Sequence, residues 1–167
     1  MEKYILRQLY NTYQKEIYLY LYALCKSKDL AEDLMQETFM KAILSLPNEH
    51  TNMRAWLYMV ARNLYFNHRQ KERRNILLDH VEDSSNSSDS DMLERLLIDE
   101  RKRLLFQALQ KLSDIKREIL TMQYYGDLSQ KEIAALLKLT PENVRVLAYR
   151  ARRELKLYLE ESGYDIS

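Results

Sequence analysis

Glycine and proline each occur only twice in these 167 residues, and cysteine occurs once. With so few breakers the chain is expected to be helical with short connections. The scarcity also excludes a glycine-rich phosphate loop of the P-loop or dinucleotide type, which needs several glycines at fixed spacing. Cys25 has no partner for an intramolecular disulfide, which fits a reducing compartment. It lies among apolar residues on a predicted helix, the usual setting of a packed free thiol. His50, His68 and His80 lack metal-ligand spacing with that cysteine. No G-x-S-x-G or other nucleophile motif is present. No catalytic site, metal, cofactor or small-molecule substrate is therefore expected.

Long apolar runs are missing too. The most apolar stretch, IYLYLYALC from Ile17 to Cys25, falls far short of the ~20 residues that cross a bilayer. The first residues carry no signal-peptide pattern. A soluble, cytoplasmic protein is expected.

What the chain does have is enough apolar residue, 46%, for packed cores, and an uneven charge. The formal net charge is only +1, but residues 1–75 hold 12 Lys/Arg against 8 Asp/Glu. Residues 76–99 hold 1 against 7, and residues 100–167 hold 13 against 10. Two basic lobes flank an acidic middle. Within that middle, DHVEDSSNSSDSD (Asp79 to Asp91) is too polar to bury a core. The expected organisation is all-α: two small helical domains, 1–75 and 92–167, joined by a flexible acidic linker over 76–91.

In the first lobe, Leu6, Tyr10, Tyr13, Ile17, Tyr20, Leu21 and Leu24 recur at helical spacing and predict a helix over about 3–26. A second helix is predicted from Asp29 to about Leu46. Pro47 and NEHTN (Asn48 to Asn52) then form a loop, and a third helix starts near Met53. In the second lobe a helix leads to Leu112, another runs from Asp114 to Tyr125, and Gly126-Asp127 makes a turn. Ser129 with Glu132 reads as a capping box, and Thr140-Pro141 as an N-cap followed by proline at the first helical position.

Two short helices joined by the Lys138-Leu139 turn, the second rich in arginine, read as a helix-turn-helix. Arg145, Tyr149, Arg152 and Lys156 share one stripe of the second helix, with Val146, Arg150 and Arg153 beside it. Val144, Leu147 and Ala151 are assigned to the core. From Arg145 to Lys156 there are five cations and one acid, Glu154, whereas a merely solvated face would alternate signs. Arginine can neutralise phosphates and can pair bidentately with guanine in a major groove.

SQKEIAALLKLTPENVRVLAYRARRELK resembles the fourth-region helix-turn-helix of bacterial extracytoplasmic-function sigma factors, which end in a similar V-K/R-x-x-x-x-R-A-R/K-x-x-L. The resemblance implies that Arg145, Val146, Tyr149 and Arg150 read the minus-thirty-five promoter element, with Arg152 and Arg153 on phosphates. Lys138 stands where that family usually has a turn glycine.

DLAEDLMQETFMKAI (Asp29 to Ile43) is similar to the family's second-region helix, approximately D-A-E-D-L/I-x-Q-E-x-F. That implies docking on core RNA polymerase through Asp33, Gln36 and Glu37, with Phe39 as apolar anchor. Read without the family, the same acids suit a solvated face.

AWLYMVARNLYFNHRQKERR (Ala55 to Arg74) places Tyr58, Arg62, Tyr65, Arg69 and Arg73 at helical steps, an expected stripe of alternating rings and guanidiniums. Such a stripe suits single strands, because cations hold the backbone while bases stack on rings. Leu57, Val60, Ala61 and Leu64 are assigned to the core, and Trp56 to an anchor between helices. The segment resembles the family's A-W-L-x-x-I-A-R-N helix, which engages the minus-ten element as the duplex opens. The implied contacts add Asn63 and Asn67, the latter replacing the family's aspartate. Asn48 and Asn52 in the preceding loop are the candidates for holding a flipped base. The resemblance implies an alternative sigma factor that performs no covalent chemistry. Its implied partners are core RNA polymerase, promoter DNA and an anti-sigma factor, often membrane-anchored. The alternative is a helix-turn-helix regulator that never joins polymerase.

Overall fold

The structure is a computed structural model and describes residues 2–45, 52–79 and 100–163. Among the described residues there are seven helices and no strand. They are α1 (Glu2–Cys25), α2 (Lys28–Leu44), α3 (Met53–Asp79), α4 (Glu100–Lys111), α5 (Asp114–Tyr124), α6 (Gln130–Leu137) and α7 (Pro141–Glu161). The chain divides into two units, Met1–Ser87 and Ser88–Ser167.

In the first unit α1, α2 and α3 pack on one another. The second half of α1 enters the core, with Ile17, Tyr20, Leu21 and Leu24 buried. Lys26 takes a left-handed φ of 59°, which breaks α1 and lets the chain turn. Ser27 then caps α2, its hydroxyl accepting from the Leu30 N–H at 3.3 Å. The helix starts one residue before the predicted Asp29 and ends at Leu44 rather than Leu46. Ala31, Leu34, Met35, Phe39 and Ala42 of α2 and Leu57, Tyr58, Ala61 and Leu64 of α3 are buried, and the two helices pack on each other. Thr38 is fully buried but satisfied, since its hydroxyl donates to the Leu34 carbonyl at 2.7 Å. Burying each large side chain contributes roughly 1.5–3 kcal/mol. Tyr20 and Tyr58 meet edge-on at 5.0 Å between centroids, and the Tyr65 hydroxyl donates to the Leu24 carbonyl. Cys25 is half-buried, its thiol donating to the Ser27 carbonyl.

Residues 76–79, expected to open the linker, instead belong to α3. Ile76 to Asp79 contain neither glycine nor proline, so nothing local stops the helix at residue 75. The rest of the expected linker, together with the first residues of the expected second domain, lies outside the described residues.

The second unit is held by Ala108, Leu109, Leu112, Leu120, Ala151, Leu155 and Leu159. Arg117 is 6% exposed and ties the corner between α4 and α5. Its guanidinium donates to the carbonyls of Leu109, Gln110 and Leu112 and to the Asp114 carboxylate. These carbonyls lie at and just past the end of α4, where helical carbonyls run out of intrahelical donors; that of Leu109 also accepts from the Leu112 N–H at 3.2 Å. The predicted capping box on α6 is present in both directions, Ser129 N–H to Glu132 at 2.8 Å and Glu132 N–H to Ser129 at 3.1 Å. Lys138 holds φ 58° and ψ 45°, so the turn keeps a left-handed residue without glycine. Thr140 caps α7, accepting from the Asn143 N–H at 3.1 Å, with Pro141 at the helix start. Leu147, assigned to the core, is only half-buried; the inward position is taken by Ala148, 1% exposed.

Candidate nucleic-acid interface

On α7 the buried line is Val144, Ala148, Ala151, Leu155 and Leu159, and helix geometry turns the basic residues outward. Arg145, Tyr149, Arg150, Arg152, Arg153 and Lys156 are exposed, while Val146 is half-buried. The one acid in this stretch, Glu154, turns to α5 and accepts from Lys116 Nζ at 2.9 Å. The outward face is therefore more uniformly cationic than the sequence alone implies. Arg153 lies over the Tyr149 ring at 5.8 Å, and Arg152 reaches Gln123 of α5 at 3.4 Å. Arg145 is paired with Glu142, a contact the sequence reading missed although their i,i+3 spacing signals it. That pairing lowers the Glu142 pKa and raises that of Arg145.

On α3 the expected stripe of rings is corrected. Tyr58 is 0% exposed, locked against Tyr20, and Tyr65 is half-buried with its hydroxyl bound to α1. Both sit at the edge of the arc carrying Leu57, Ala61 and Leu64, and three-helix packing covers that edge. Arg62 and Arg69 are half-buried, whereas Asn63, Asn67 and Arg73 are exposed. The ring that pairs with a guanidinium on this helix is Phe66, which the sequence reading passed over. Arg62 lies over it at 4.6 Å, a second pairing that i,i+4 spacing could have revealed. Trp56 is half-buried. Asn52 caps α3 by accepting the Ala55 N–H at 3.2 Å. Asn48 lies outside the described residues.

On α2, Asp33, Gln36 and Glu37 are exposed and contiguous. Phe39 is not a surface anchor. It is 3% exposed and meets Tyr10 edge-on at 5.2 Å. It forms the floor of a groove of about 540 Å3 between α1 and α2, lined also by Leu6, Tyr10, Gln36 and Met40. The apolar residues projecting from this side are Met40, 64% exposed, and Leu44, 84% exposed. Behind the helices, burial pushes the Glu16 carboxyl above its ordinary range, although Arg54 at 3.0 Å and the Tyr58 hydroxyl pull it down. Among the described residues no group of His, Cys, Asp and Glu could hold a metal ion.

Two family models match the chain: Sigma-70 region 2 over residues 9–75, and Sigma-70, region 4 over residues 102–155. The chain is 30% identical over 155 residues to the ECF RNA polymerase sigma factor SigM of Bacillus subtilis (strain 168), covering 89% of this chain and 91% of the relative. It is 32% identical over 164 residues to the RNA polymerase sigma factor YlaC of the same strain, covering 94% and 93%. The chain belongs to the ECF RNA polymerase sigma factors. As an alternative sigma factor it directs transcription initiation.

Two solved structures share the fold of this sigma factor. One is the sigma factor RpoE in complex with the anti-sigma factor NepR from Bartonella quintana, at 21% identity and TM-score 0.73, covering 92% of this chain and 96% of that one. The other is CnrH in complex with the cytosolic domain of CnrY, at 21% identity and TM-score 0.68, covering 95% and 90%. Region 2 of this sigma factor takes in α1 from residue 9, all of α2 and most of α3; region 4 runs from α4 into α7. Among its described residues no helix is long and apolar enough to cross a membrane.

Proposed function

We propose that the two units of this sigma factor divide promoter recognition between them, with region 2 also holding the polymerase. Asp33, Gln36 and Glu37 on α2 dock on core RNA polymerase. On α3, Arg62, Asn63, Asn67, Arg69 and Arg73 engage the opened minus-ten strand, with Phe66 as the stacking ring in place of Tyr58 and Tyr65. Asn48 and Asn52 remain the candidates for the flipped base, Asn52 also serving as a cap. On α7, Arg145, Val146, Tyr149 and Arg150 read the minus-thirty-five element, and Arg152 and Arg153 hold its phosphates. The acidic segment after α3 tethers the units and is repelled by DNA.

Partners on this reading are core RNA polymerase, promoter DNA and an anti-sigma factor of the kind bound to the fold neighbour RpoE. The protein works in the cytoplasm and performs no covalent chemistry, which the polymerase supplies. The observation that carries the reading is the outward cationic face of α7, from which the Lys116–Glu154 pair draws the one acid between Arg145 and Lys156.

Reconstitution tests it. Mixed with core polymerase and genomic promoter fragments, the protein should create new start sites. Asp33→Ala with Gln36→Ala should weaken polymerase binding, and Arg145→Ala with Arg150→Ala should abolish upstream-element binding. Protein that binds promoters alone but never joins the polymerase would instead be a free-standing regulator.

A further inference from the structure

Arg145 is held in a specific way. Its Nε donates to Glu142 Oε2 at 3.2 Å, and its Nη2 donates to Glu142 Oε1. The carboxylate thus covers the flank of the guanidinium, the edge formed by Nε and Nη2. A guanidinium has a second bidentate edge at its end, formed by Nη1 and the other hydrogen of Nη2. That terminal edge is the one Glu142 leaves for a ligand. It matches the two acceptors, O6 and N7, that guanine shows in the major groove.

Glu142 is itself well placed to stay put. It occupies the first turn of α7, just after the Thr140 cap and Pro141, where the helix dipole favours a carboxylate. The arrangement also sets Arg145 apart from its neighbours. Among the described residues, no other arginine of α7 is held by a carboxylate: Arg152 meets the neutral Gln123, and Arg153 meets the Tyr149 ring. A guanidinium already neutralised by a carboxylate is a poor phosphate anchor, because a phosphate brought to it also meets the carboxylate. A base edge brings no such charge.

We infer that Glu142 is a positioning residue that presents the terminal edge of Arg145 to a guanine and turns it away from phosphate. It raises discrimination among bases while lowering affinity for arbitrary DNA. An arginine without this brace would lose its rotamer freedom on binding, whereas here much of that loss is taken in the free protein. The inference rests on the reading of α7 as the upstream-element helix.

The test uses the full-length protein assembled with core polymerase and a duplex pool randomised across the upstream element. Wild type, Glu142→Ala, Glu142→Gln and Arg145→Ala are compared by the sequences each retains. Binding of the polymerase-free protein to a random-sequence duplex is titrated over a range of salt. Wild type should select guanine at one position, and Arg145→Ala should lose that selection. Glu142→Ala should reduce the guanine preference at least about fivefold, the low end of what one bidentate pair contributes. Both Glu142 variants should bind the random duplex more tightly, with a log–log salt slope steeper by about 1, the signature of one added phosphate contact. Glu142→Gln keeps an acceptor and should lose less base preference than Glu142→Ala while showing the same change of slope. A merely structural role for Glu142 would not move the slope. If Glu142→Ala keeps the guanine preference and the slope of wild type, the inference is overturned while α7 remains the reader. If Arg145→Ala leaves every base preference intact, the assignment of α7 itself fails.

Discussion

Lys138 occupies a backbone conformation, φ 58° and ψ 45°, that an L-residue adopts at a cost of roughly 1–2 kcal/mol. Glycine removes that strain but also loosens the unfolded chain. Lys138→Gly should therefore raise stability by up to about 1 kcal/mol in urea denaturation, while Lys138→Ala should give no gain. A loss of stability in the glycine variant would contradict strain at this turn. Arg117 is the opposite case, a buried cation that repays its burial through four acceptors. Arg117→Met leaves three carbonyls at the end of α4 without that donor, and should cost about 3 kcal/mol on denaturation. Lysine should not rescue it, because a single ammonium lacks the planar fork that spans these acceptors. Glu16 gives a pH signature. Its folded-state pKa is raised, chiefly by burial, so the folded chain holds this proton more tightly than the unfolded chain does. Its contribution to stability is fully present below the ordinary value of 4.5 and is lost as pH rises through the folded value. Glu16→Gln should flatten that part of the stability–pH curve, which denaturation at stepped pH would reveal.

At the scale of elements, α3 separates two kinds of aromatic residue that the sequence presents alike. Tyr58 is fully buried against Tyr20, and Tyr58→Ala should destabilise the first unit by about 3–5 kcal/mol through the cavity it leaves. Phe66 stands half-buried beneath Arg62, outside that core. Phe66→Ala should change the melting temperature little yet weaken the open promoter complex, since a stacked base contributes ~1–3 kcal/mol. Permanganate reactivity of unpaired thymines in the minus-ten region would report it. Unchanged reactivity would remove Phe66 from the strand-holding face. In the second unit the Lys116–Glu154 pair has a comparable division of labour. It joins α5 to α7 and draws a carboxylate away from the exposed arginine face.

For the whole molecule the net charge of +1 conceals the basis of DNA binding. Two basic bodies on either side of an acidic segment allow phosphate contact where the average charge suggests none. If roughly five phosphates are neutralised, affinity of the polymerase complex for promoter DNA should fall with salt at a log–log slope near −4. A flat salt dependence would mean that the exposed arginines of α7 and α3 are not at the DNA backbone.

The sequence by itself determined the helical class, the cap residues and the order of the two regions. Each rests on local chemistry: scarce glycine and proline, Ser129 with Glu132, Thr140 with Pro141, and motif spacing within single helices. It also marked as outward-facing Asp33, Gln36 and Glu37, through the family resemblance, and the arginines of α7, through helical periodicity, and all of these are exposed. The tertiary structure alone decided which edge of each amphipathic helix is covered. Tyr58 shares helical steps with Arg62 and Arg69, and Phe39 stands beside the exposed Gln36 and Met40, but the α1 rings Tyr20 and Tyr10 pack against them. Helical periodicity fixes the direction in which a side chain leaves its own axis; whether another helix stands there depends on packing between segments far apart in the chain.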